Sequence, residues 1–459
     1  MPKSLDQIPG PAPIGRNPFK LISFLQELNR NALGILDNAA REYGEIMAFT
    51  VLGHKQVMVS NPDALREVLV TKAKSFHKDA DYTDKNIGIA RFAGNGILVT
   101  DGEFWKKHRK LVQPALHTSR IREYADTMSR YTVDMVEDWQ TKRDIDLAEE
   151  MMHLTLRIVA RTLFDTDIRD NADDITDAME ALNEGSSYMR ILPAWVPTPT
   201  ELAVRRSLVD LDAYVFDLIK KRRAEGTDHG DLLSMLLLTE TEDGERMSDQ
   251  QVRDEAVTLF LAGHETTANA LNWTFWLLAQ NPEAEAKLHT ELDTVLNGRP
   301  LTLADLPNLP YTDWVIKESM RYMPPVSGVG RVAIEDVQIG DYLLPAGTKV
   351  VCNIFSVQRN ERYWDEPLTF RPERFAPKND ADRNRYTYLP FGAGPRVCIG
   401  VNFANMEAQL LLATIAQNYT LRLKPDHEVI PVARITTYPK DGLPMSIKVR
   451  ETTPTPKFA

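Results

Sequence analysis

The sequence predicts a mostly α-helical protein with small β-sheets, an α+β fold. Apolar residues recur at helical spacing through most of residues 62–321 and again over residues 399–419. Two shorter parts, residues 45–60 and 332–355, have the alternation and the β-branched content expected of strands. Because no linker separates these parts, we expect a single domain over residues 1–459, with one helical part and one β-rich part.

Turn and proline signals set the limits of the elements. The first β-rich part turns at Gly53 and predicts a hairpin, and a helix begins at Pro62. Residues 121–223 have helical period except in the run 191–199, where three prolines force a loop between two helices. Further helices are expected at Asp231–Thr239, Asp249–Gln280, Pro282–Leu296 and Tyr311–Arg321.

Composition excludes several classes of protein. The 459 residues carry a net charge of −11, which argues against binding to nucleic acid or to a generic anionic membrane. The chain has two cysteines, Cys352 and Cys398, and they do not suggest a disulfide framework. The first lies in an apolar strand-like run, and the second lies in a Gly-rich loop. No stretch of ~20 apolar residues stands near the start. We expect a cytoplasmic monomer without a membrane anchor.

Cys398 stands in the Gly-rich run Phe391–Gly400 and directly precedes an apolar helical segment. A sulfur at the start of a helix faces the positive end of the helix dipole, which favours thiolate. Thiolate is the axial haem-iron ligand that promotes O–O cleavage. Gly394 and Gly400 permit the backbone to approach a flat macrocycle, and Arg396 suits an anionic propionate. For an isolated cysteine, a buried structural role is the commoner alternative.

The spacing within this run decides between the two interpretations. Phe391, Gly394, Arg396, Cys398 and Gly400 fill every fixed position of the pattern Phe-x-x-Gly-x-Arg-x-Cys-x-Gly. The chain thereby resembles the cytochrome P450 family, whose haem-binding signature this is. Further motifs of that family occur in family order, so that the resemblance covers nearly the whole chain: Trp105–Arg109, Ala262–Thr267, Glu318–Arg321 and Pro372–Phe375.

The resemblance implies a fold and a cofactor. Members of the family form a triangular helical prism, in which haem b is buried between a central oxygen-binding helix and the helix that follows the cysteine loop. An indole N–H and three guanidinium groups are implied to bind the haem propionates, from Trp105, Arg109, Arg331 and Arg396.

A structural network is implied by the same resemblance. Glu318, Arg321 and Arg374 are expected to hold the segment before the cysteine loop against the core, without a catalytic step. The alternative for a Glu/Arg pair three residues apart is a solvated surface bridge, worth ~0.3 kcal/mol.

The central helix carries the candidate catalytic residues, Glu265 and Thr266. A threonine hydroxyl that bonds back to a carbonyl one turn earlier loosens the helix locally, and a neighbouring carboxylate can carry protons to dioxygen. Gly263 in mid-helix suggests that a flat group passes close to the backbone. A zinc His-Glu-x-x-His site is excluded, because the position that must be His is Ala268.

These features predict a haem-thiolate monooxygenase that hydroxylates a C–H bond. One alternative is a peroxygenase or a peroxide-rearranging haem-thiolate enzyme, against which the Glu265-Thr266 pair counts, since such enzymes need no proton relay from dioxygen. Another is a non-enzymatic haem sensor or carrier, which the apolar pocket candidates make improbable.

Electrons are expected from a separate ferredoxin or flavodoxin with its NAD(P)H reductase, because the roughly sixty residues after Cys398 cannot contain a flavin-binding reductase domain of usual size. A basic run on one short helix, Lys106, Lys107 and Lys110, is a candidate docking patch for an acidic partner. An ordinary solvated helix face is an equally weighted alternative.

The candidate substrate-pocket residues are mostly apolar, which favours a lipophilic substrate such as a fatty acid or a terpenoid. They are Ile87, Ile89, Phe92, Ile97, Leu98, Ala262, Thr266, Val326, Val329 and Ile435 to Thr437. The stretch Pro324 to Arg331 looks closest to the long-chain hydroxylase branches of the family, and the proline-hinged run near residues 193–199 is implied to be part of a mobile lid. Some ω-hydroxylases carry a haem-esterifying Glu where this chain has Ala262, so covalently attached haem is not expected.

Overall fold

The computed structural model describes residues 2–15, 17–86, 89–116, 118–166, 198–240, 244 and 246–450. Its α-helices are Pro18–Tyr43, Pro62–Arg66, Ala80–Thr83, Ala90–Ala93, Gly102–Val112, Thr118–Asp138, Leu147–Phe164, Pro199–Glu225, Leu232–Leu238, Asp249–Gln280, Pro282–Leu296, Pro310–Tyr322, Ile354–Val357, Pro377–Asp380 and Val401–Asn418. Its strands are β1 (Lys3–Ser4), β2 (Ile46–Val51), β3 (His54–Val59), β4 (Phe76–His77), β5 (Asp144–Asp146), β6 (Gly328–Ala333), β7 (Val337–Ile339), β8 (Tyr342–Leu344), β9 (Lys349–Asn353), β10 (Tyr419–Leu423), β11 (Pro431–Ala433), β12 (Thr437–Pro439) and β13 (Pro444–Val449). The predicted fold class, mostly helical with small sheets, is confirmed.

The largest sheet in the described part holds five strands in the order β2-β3-β9-β6-β4. Strands β2 and β3 form the predicted hairpin, and Gly53 turns it at φ +87°, a conformation that favours glycine. Strand β9 lies parallel to β3, and β6 lies antiparallel to β9. This pairing fixes the course of the segment that leads from Val326 to Arg331, where several candidate site residues lie.

The predicted helices are present in the described residues, and most of their ends lie within a few residues of the predicted ones. Strand β5 interrupts the helical run that was expected over residues 121–223. Its three residues are too few to give a periodic signal, and the strand exists because it pairs with β13. Residues 191–197 of the predicted proline loop lie outside the described residues, and Thr198 caps the helix that begins at Pro199.

Two other boundaries differ from the sequence prediction. The helix after the cysteine loop begins at Val401 rather than at residue 399 and ends at Asn418, because Tyr419 pairs with β13 as the first residue of β10. The second β-rich part ends at Asn353, whose side chain caps a short helix from Ile354. Within the described part of the chain, none of the helices is long and apolar enough to cross a bilayer.

The central helix, Asp249–Gln280, begins at a capping box formed by Ser248 and Gln251 and is buried along most of its length. It packs against the helix Leu147–Phe164. A Cβ atom on Gly263 would lie 3.0 Å from a methyl group of Val159, so this glycine permits close approach of the two helices. The sequence suggested that Gly263 lets a flat group pass close to the backbone. On the side where its side chain would stand, Gly263 faces a neighbouring helix instead, so the expectation is wrong for that side.

Glu318 and Arg321 form a fully buried bidentate ion pair. Arg321 Nε lies 2.7 Å from Glu318 Oε2, and its Nη2 lies 2.8 Å from Oε1; both side chains are 0% exposed. Arg374 joins the pair with its Nε 3.3 Å from Glu318 Oε1, and the Arg371 N–H donates to the same oxygen at 2.8 Å. The structure thus brings together the three residues that the resemblance implied.

Gln358 extends this network to the cysteine loop. Arg321 Nη1 donates to the Gln358 carbonyl at 2.9 Å, and the Gln358 side chain donates to the Met320 carbonyl at 2.9 Å. The Leu389 N–H donates to Gln358 Oε1 at 2.8 Å, two residues before Phe391. Sequence analysis did not find Gln358, because no local pattern distinguishes it from other glutamines.

Glu318→Ala should yield a poorly folded protein with little haem, because it leaves two buried guanidinium groups without their carboxylate, at a cost of ~3–5 kcal/mol. The measurements are haem content per chain and the urea midpoint. Asp313→Ala is the matched control on the same helix. Asp313 pairs with Lys317 at the surface, with side chains 30% and 40% exposed, and its loss should cost only ~0.3 kcal/mol. Equal effects of the two substitutions would contradict a buried network.

Candidate active site

The cysteine loop, residues 391–400, is closed by its own backbone. The Cys398 N–H donates to the Phe391 carbonyl at 3.0 Å. Gly394 has φ +70°, and a Cβ atom there would lie 2.0 Å from the Leu69 carbonyl oxygen, so the loop backbone packs directly on an earlier turn of the chain. These contacts, and the Leu389 hydrogen bond to the buried network, fix the position of the cysteine.

The Cys398 side chain keeps free surface, although protein surrounds most of it. Burial raises the pKa of the thiol, while the Gly400 N–H that donates to the sulfur and the nearby Arg109 guanidinium act to lower it. The predicted advantage of a helix start does not outweigh burial, because the helix begins only at Val401. A coordinated metal cation, by contrast, deprotonates a thiol outright.

Between residues 252 and 275, one short stretch interrupts the burial of the central helix. Residues 252–260 and 267–275 are buried, whereas Ala262 is exposed and Leu261, Gly263, Glu265 and Thr266 are half-buried. This stretch is therefore the part of the central helix between two buried flanks that a ligand can reach. The helix from Val401 packs against the central helix. Thr267, directly after the accessible stretch, lies close enough to Glu407 on that helix to act on its pKa, so the stretch and the cysteine loop belong to the same region.

A buried group of cations lies next to the loop. Burial, and then the charges of Arg331 and Arg396, lower the pKa of Lys78 to about 7. The Arg396 guanidinium stacks on Trp105, with 3.8 Å between its central carbon and the ring centroid, and pairs with Asp101. Two carboxylates, Asp101 and Asp79, also act on Lys78, and Asp79 is paired with Lys349. The cationic side chains still outnumber the carboxylates, so this group has an excess of positive charge. Such an excess fits a ligand with carboxylates.

Lys78 was not found by sequence analysis. Strand β4 has only two residues, and its antiparallel pairing of His77 with Val332 brings the next residue, Lys78, to Arg331. Arg109, which was expected in this group, donates through Nη2 to the Val397 carbonyl at 3.0 Å, beside the cysteine. Burial lowers the pKa of Arg109, and Cys398 opposes that shift.

The candidate catalytic residues sit on the half-buried stretch of the central helix. Thr266 Oγ1 donates to the Ala262 carbonyl at 2.8 Å, the back-bond expected from the sequence. Glu265 accepts a hydrogen bond from the hydroxyl of Thr436, which sequence analysis had included only as part of a pocket run. His264 is turned away: its Nδ1 lies 2.7 Å from the Phe260 carbonyl, and burial lowers its pKa to about 4, so it is neutral at pH 7.

Hydrogen bonds bring three of the predicted pocket segments together. Thr436 bonds to Glu265 on the central helix, and the Thr437 N–H donates to the Pro325 carbonyl at 2.7 Å. A fourth segment is held by the Ile97 N–H, which donates to Glu255 at 3.0 Å. Several apolar side chains of these segments keep accessible surface and can line a substrate space: Leu98, Ala262, Val326, Val329 and Ile435.

Three other pocket candidates lie in the packed core instead. Phe92 is 1% exposed, and Ile89 and Ile97 are also buried among core residues. A side chain that faces a substrate space keeps accessible surface, so the assignment of these residues to the pocket wall is wrong. The sequence could not distinguish the two environments, since both favour apolar residues. Ile87 lies outside the described residues.

With this geometry in place, the comparisons with known proteins identify the family. A family profile described as "Cytochrome P450" matches residues 11–441. The chain belongs to the cytochrome P450 family. Pentalenene oxygenase of Streptomyces avermitilis is 34% identical over 90% of this chain and 91% of its own length. Cyclooctatin synthase of Streptomyces melanosporofaciens is 35% identical over 85% of each chain. The crystal structure of the cytochrome P450DA haem domain has a TM-score of 0.88 and 25% identity, covering 97% of this chain and 98% of that one.

This cytochrome P450 is an oxygenase, and its cofactor is haem b. When bound through a thiolate, haem activates dioxygen for insertion of one oxygen atom into a substrate. The residues present fit that group. Cys398 offers a sulfur with free surface, the central helix offers an exposed stretch in the same region, and Lys78, Arg331 and Arg396 offer the positive charge that two propionates require.

Cys398→Ser should remove the red-shifted Soret band of the reduced, CO-treated protein, because an alcohol does not replace thiolate as the axial ligand. The measurement is the reduced-CO difference spectrum. Cys352→Ser is the matched control, since Cys352 is buried in β9, where burial raises the pKa of its thiol to about 12. Survival of the band in Cys398→Ser would refute the ligand assignment.

Lys78→Met should lose haem to apomyoglobin about ten-fold faster than the parent. The substitution removes one charge-assisted hydrogen-bond donor from the cationic side chains that bind the haem propionates. The measurement is the rate of haem transfer. The exposed Lys74 provides the control substitution, Lys74→Met, which should leave that rate unchanged.

The same residue predicts a pH dependence of haem binding. The pKa of Lys78 is lowered to about 7 in the protein without haem, so above that pH the side chain must take up a proton to meet the propionates. Haem affinity should therefore fall as the pH rises above about 7 in the parent and fall less in Lys78→Met. Identical pH profiles for the two proteins would exclude Lys78 from the propionate site.

Proposed function

We propose that this cytochrome P450 hydroxylates a C–H bond of a terpenoid, with Cys398 as the haem ligand and Glu265 and Thr266 as proton carriers. The observation that carries the substrate class is the apolar character of the five accessible pocket side chains. The names of the two Streptomyces relatives refer to pentalenene and cyclooctatin, which are terpenoids, and this supports a terpenoid over a fatty acid. Such walls would hold a hydrocarbon by shape and orient it by contact.

The roles of the protein's own groups follow from their positions. Val326, Val329 and Ile435 would bind the hydrocarbon and decide which carbon lies nearest the haem. The back-bond of Thr266 to the Ala262 carbonyl would open the helix where dioxygen and water must sit. Glu265, next in the chain and half-buried, would pass protons from the solvent side toward that hydroxyl.

The helix Gly102–Val112 suits the entry of electrons. Its buried side includes Trp105, which contacts Arg396, while Lys106, Lys107 and Lys110 are exposed. Lys106 also pairs with Glu103, which moderates its charge. We infer that an acidic ferredoxin or flavodoxin docks on these lysines, since opposite charges steer such encounters.

The proposed function is tested by a spectral titration of the ferric protein. Pentalenene, dodecanoic acid and a monocyclic terpene are added in three separate titrations, and the haem spin state is followed in each. A terpenoid that shifts the spin state should also yield an alcohol with dioxygen, NADPH, a ferredoxin and its reductase. A spin shift and product with dodecanoic acid alone would overturn the terpenoid class, and turnover with peroxide alone would favour a peroxygenase.

Val326→Phe should redistribute the hydroxylated positions of the preferred substrate without abolishing turnover, because a bulkier wall moves a different carbon into near-attack distance. Product profiles by mass spectrometry are the measurement. Ile334→Phe is the control, since Ile334 is 53% exposed beyond the end of β6. An unchanged profile in Val326→Phe would remove Val326 from the pocket.

A further inference from the structure

A chain of buried hydrogen bonds ends on the Glu265 carboxylate. The Thr436 hydroxyl donates to Glu265 Oε1, and it accepts from Asn269 Nδ2 at 3.1 Å. Asn269 Oδ1 accepts from Asn272 Nδ2 at 3.4 Å. Thr436, Asn269 and Asn272 are 3%, 1% and 1% exposed, so water does not compete for the bonds among these three residues, whereas Glu265 itself is half-buried. The carboxylate of Glu265 is therefore connected to polar groups more than one helical turn away.

The direction of the donors is the same throughout this chain. A hydroxyl has one proton, and because Thr436 Oγ1 accepts from Asn269, its own proton is directed to Glu265. While Asn272 keeps its orientation, Asn269 cannot reverse its amide, because its Nδ2 would then face Asn272 Nδ2, one donor against another. Bonds aligned in one direction polarise one another, which strengthens the last of them. The chain thus ends as a donor fixed on one oxygen of the carboxyl group.

Thr436 is itself held rigidly against the central helix. The following residue, Thr437, accepts a hydrogen bond from Trp273 Nε1 at 2.8 Å through its carbonyl and donates through its N–H to the Pro325 carbonyl at 2.7 Å. The Thr436 carbonyl also accepts a hydrogen bond from the Arg434 N–H at 2.9 Å. A residue anchored in this way can set the position of its partner, since a supporting group orients a site only when it cannot move.

We propose that Thr436 and Asn269 are positioning residues for Glu265 in the oxygenase reaction. The inference rests on the proposed role of Glu265 as a proton carrier. Glu265 lies on the half-buried face of the central helix, and rotation about its side-chain bonds would let the carboxyl group leave the neighbourhood of Thr266. The Thr436 hydroxyl fixes Oε1 and so fixes the direction of Oε2. The series of hydrogen bonds ends at Asn272, whose buried Oδ1 accepts no hydrogen bond within the described residues.

The first experiment measures the position of the carboxyl group without catalysis. The infrared spectrum of the ferric Glu265→Gln holoenzyme is subtracted from that of the parent, and the carboxyl band that remains is assigned to Glu265. Thr436→Val, which keeps the shape of the side chain and removes the hydroxyl, should shift that band, and Thr436→Ser should restore it. Thr437→Val is the matched control. Although Thr437 was among the pocket candidates of the sequence, its side chain is 0% exposed and lines no substrate space, and its hydroxyl has no hydrogen-bond partner in the described part of the chain.

The second experiment measures coupling, the product formed per NADPH consumed, with pentalenene as the probe. In Thr436→Val the ratio should fall about five-fold as electrons are released as peroxide, because one net hydrogen bond no longer orients the proton carrier. Asn269→Leu should give a smaller fall, and Thr437→Val none. The spectral affinity for pentalenene should stay constant in all of them.

Distinct outcomes separate the two hypotheses. An unshifted infrared band in Thr436→Val overturns the positioning role, whatever the substrate is, because that measurement needs none. A shifted band with unchanged coupling also overturns it, since the orientation would then not matter for the reaction. If Glu265→Gln itself leaves coupling unchanged, the proposed proton carrier fails. Failure of pentalenene to shift the spin state in the parent overturns only the terpenoid class, and the infrared result still decides the role of Thr436.

Discussion

The buried ion pair of Glu318 and Arg321 is the constraint on which the arrangement of the site depends. Two charges in the interior are stabilised only if their hydrogen bonds are complete, because each loses several kcal/mol of solvation, by order of magnitude. Here the guanidinium group reaches the carbonyls of Gln358 and Pro367 as well as the carboxylate. The pair thereby determines where the chain on either side of those carbonyls must run. Through Gln358 the same constraint reaches Leu389 and the start of the cysteine loop.

The electrostatics of the interior run against those of the whole molecule. The chain has a net charge of −11, yet Lys78, Arg331 and Arg396 are placed together beneath its surface. Burial, and then the two arginine charges, lower the pKa of Lys78. Such a group destabilises the protein by itself, and it is stabilised once carboxylates are bound. A local conflict of this kind is typical of a functional site, where a protein gives up stability for binding. The excess of positive charge is therefore an argument for the propionates that does not depend on the motif.

The central helix combines two tasks because its two long flanks are buried. Packing against the helix Leu147–Phe164, close enough to require Gly263, holds the helix rigid. The short accessible stretch between the flanks then presents Ala262, Glu265 and Thr266 in fixed positions. Polar residues farther along, Asn269 and Asn272, do not reach that stretch themselves. They act on it through Thr436, which comes from a segment more than 150 residues away and returns to the helix beside β12.

The sequence by itself determined the fold class, the long helices, the hairpin at Gly53 and the chemistry of the cysteine loop. These features depend on local periodicity, on turn residues and on a fixed spacing of residue types, all of which are written along the chain. It also marked Glu318, Arg321 and Arg374, because their motifs are local, although their mutual contacts are not. Only the tertiary structure decided that Lys78 faces Arg331, that Gln358 joins the ion pair to the loop, that Phe92 is core rather than pocket wall, and that Thr436 bonds to Glu265. Each of these depends on strand pairing or helix packing between distant segments, and a side chain's neighbours across such a contact leave no periodic signal in its own sequence.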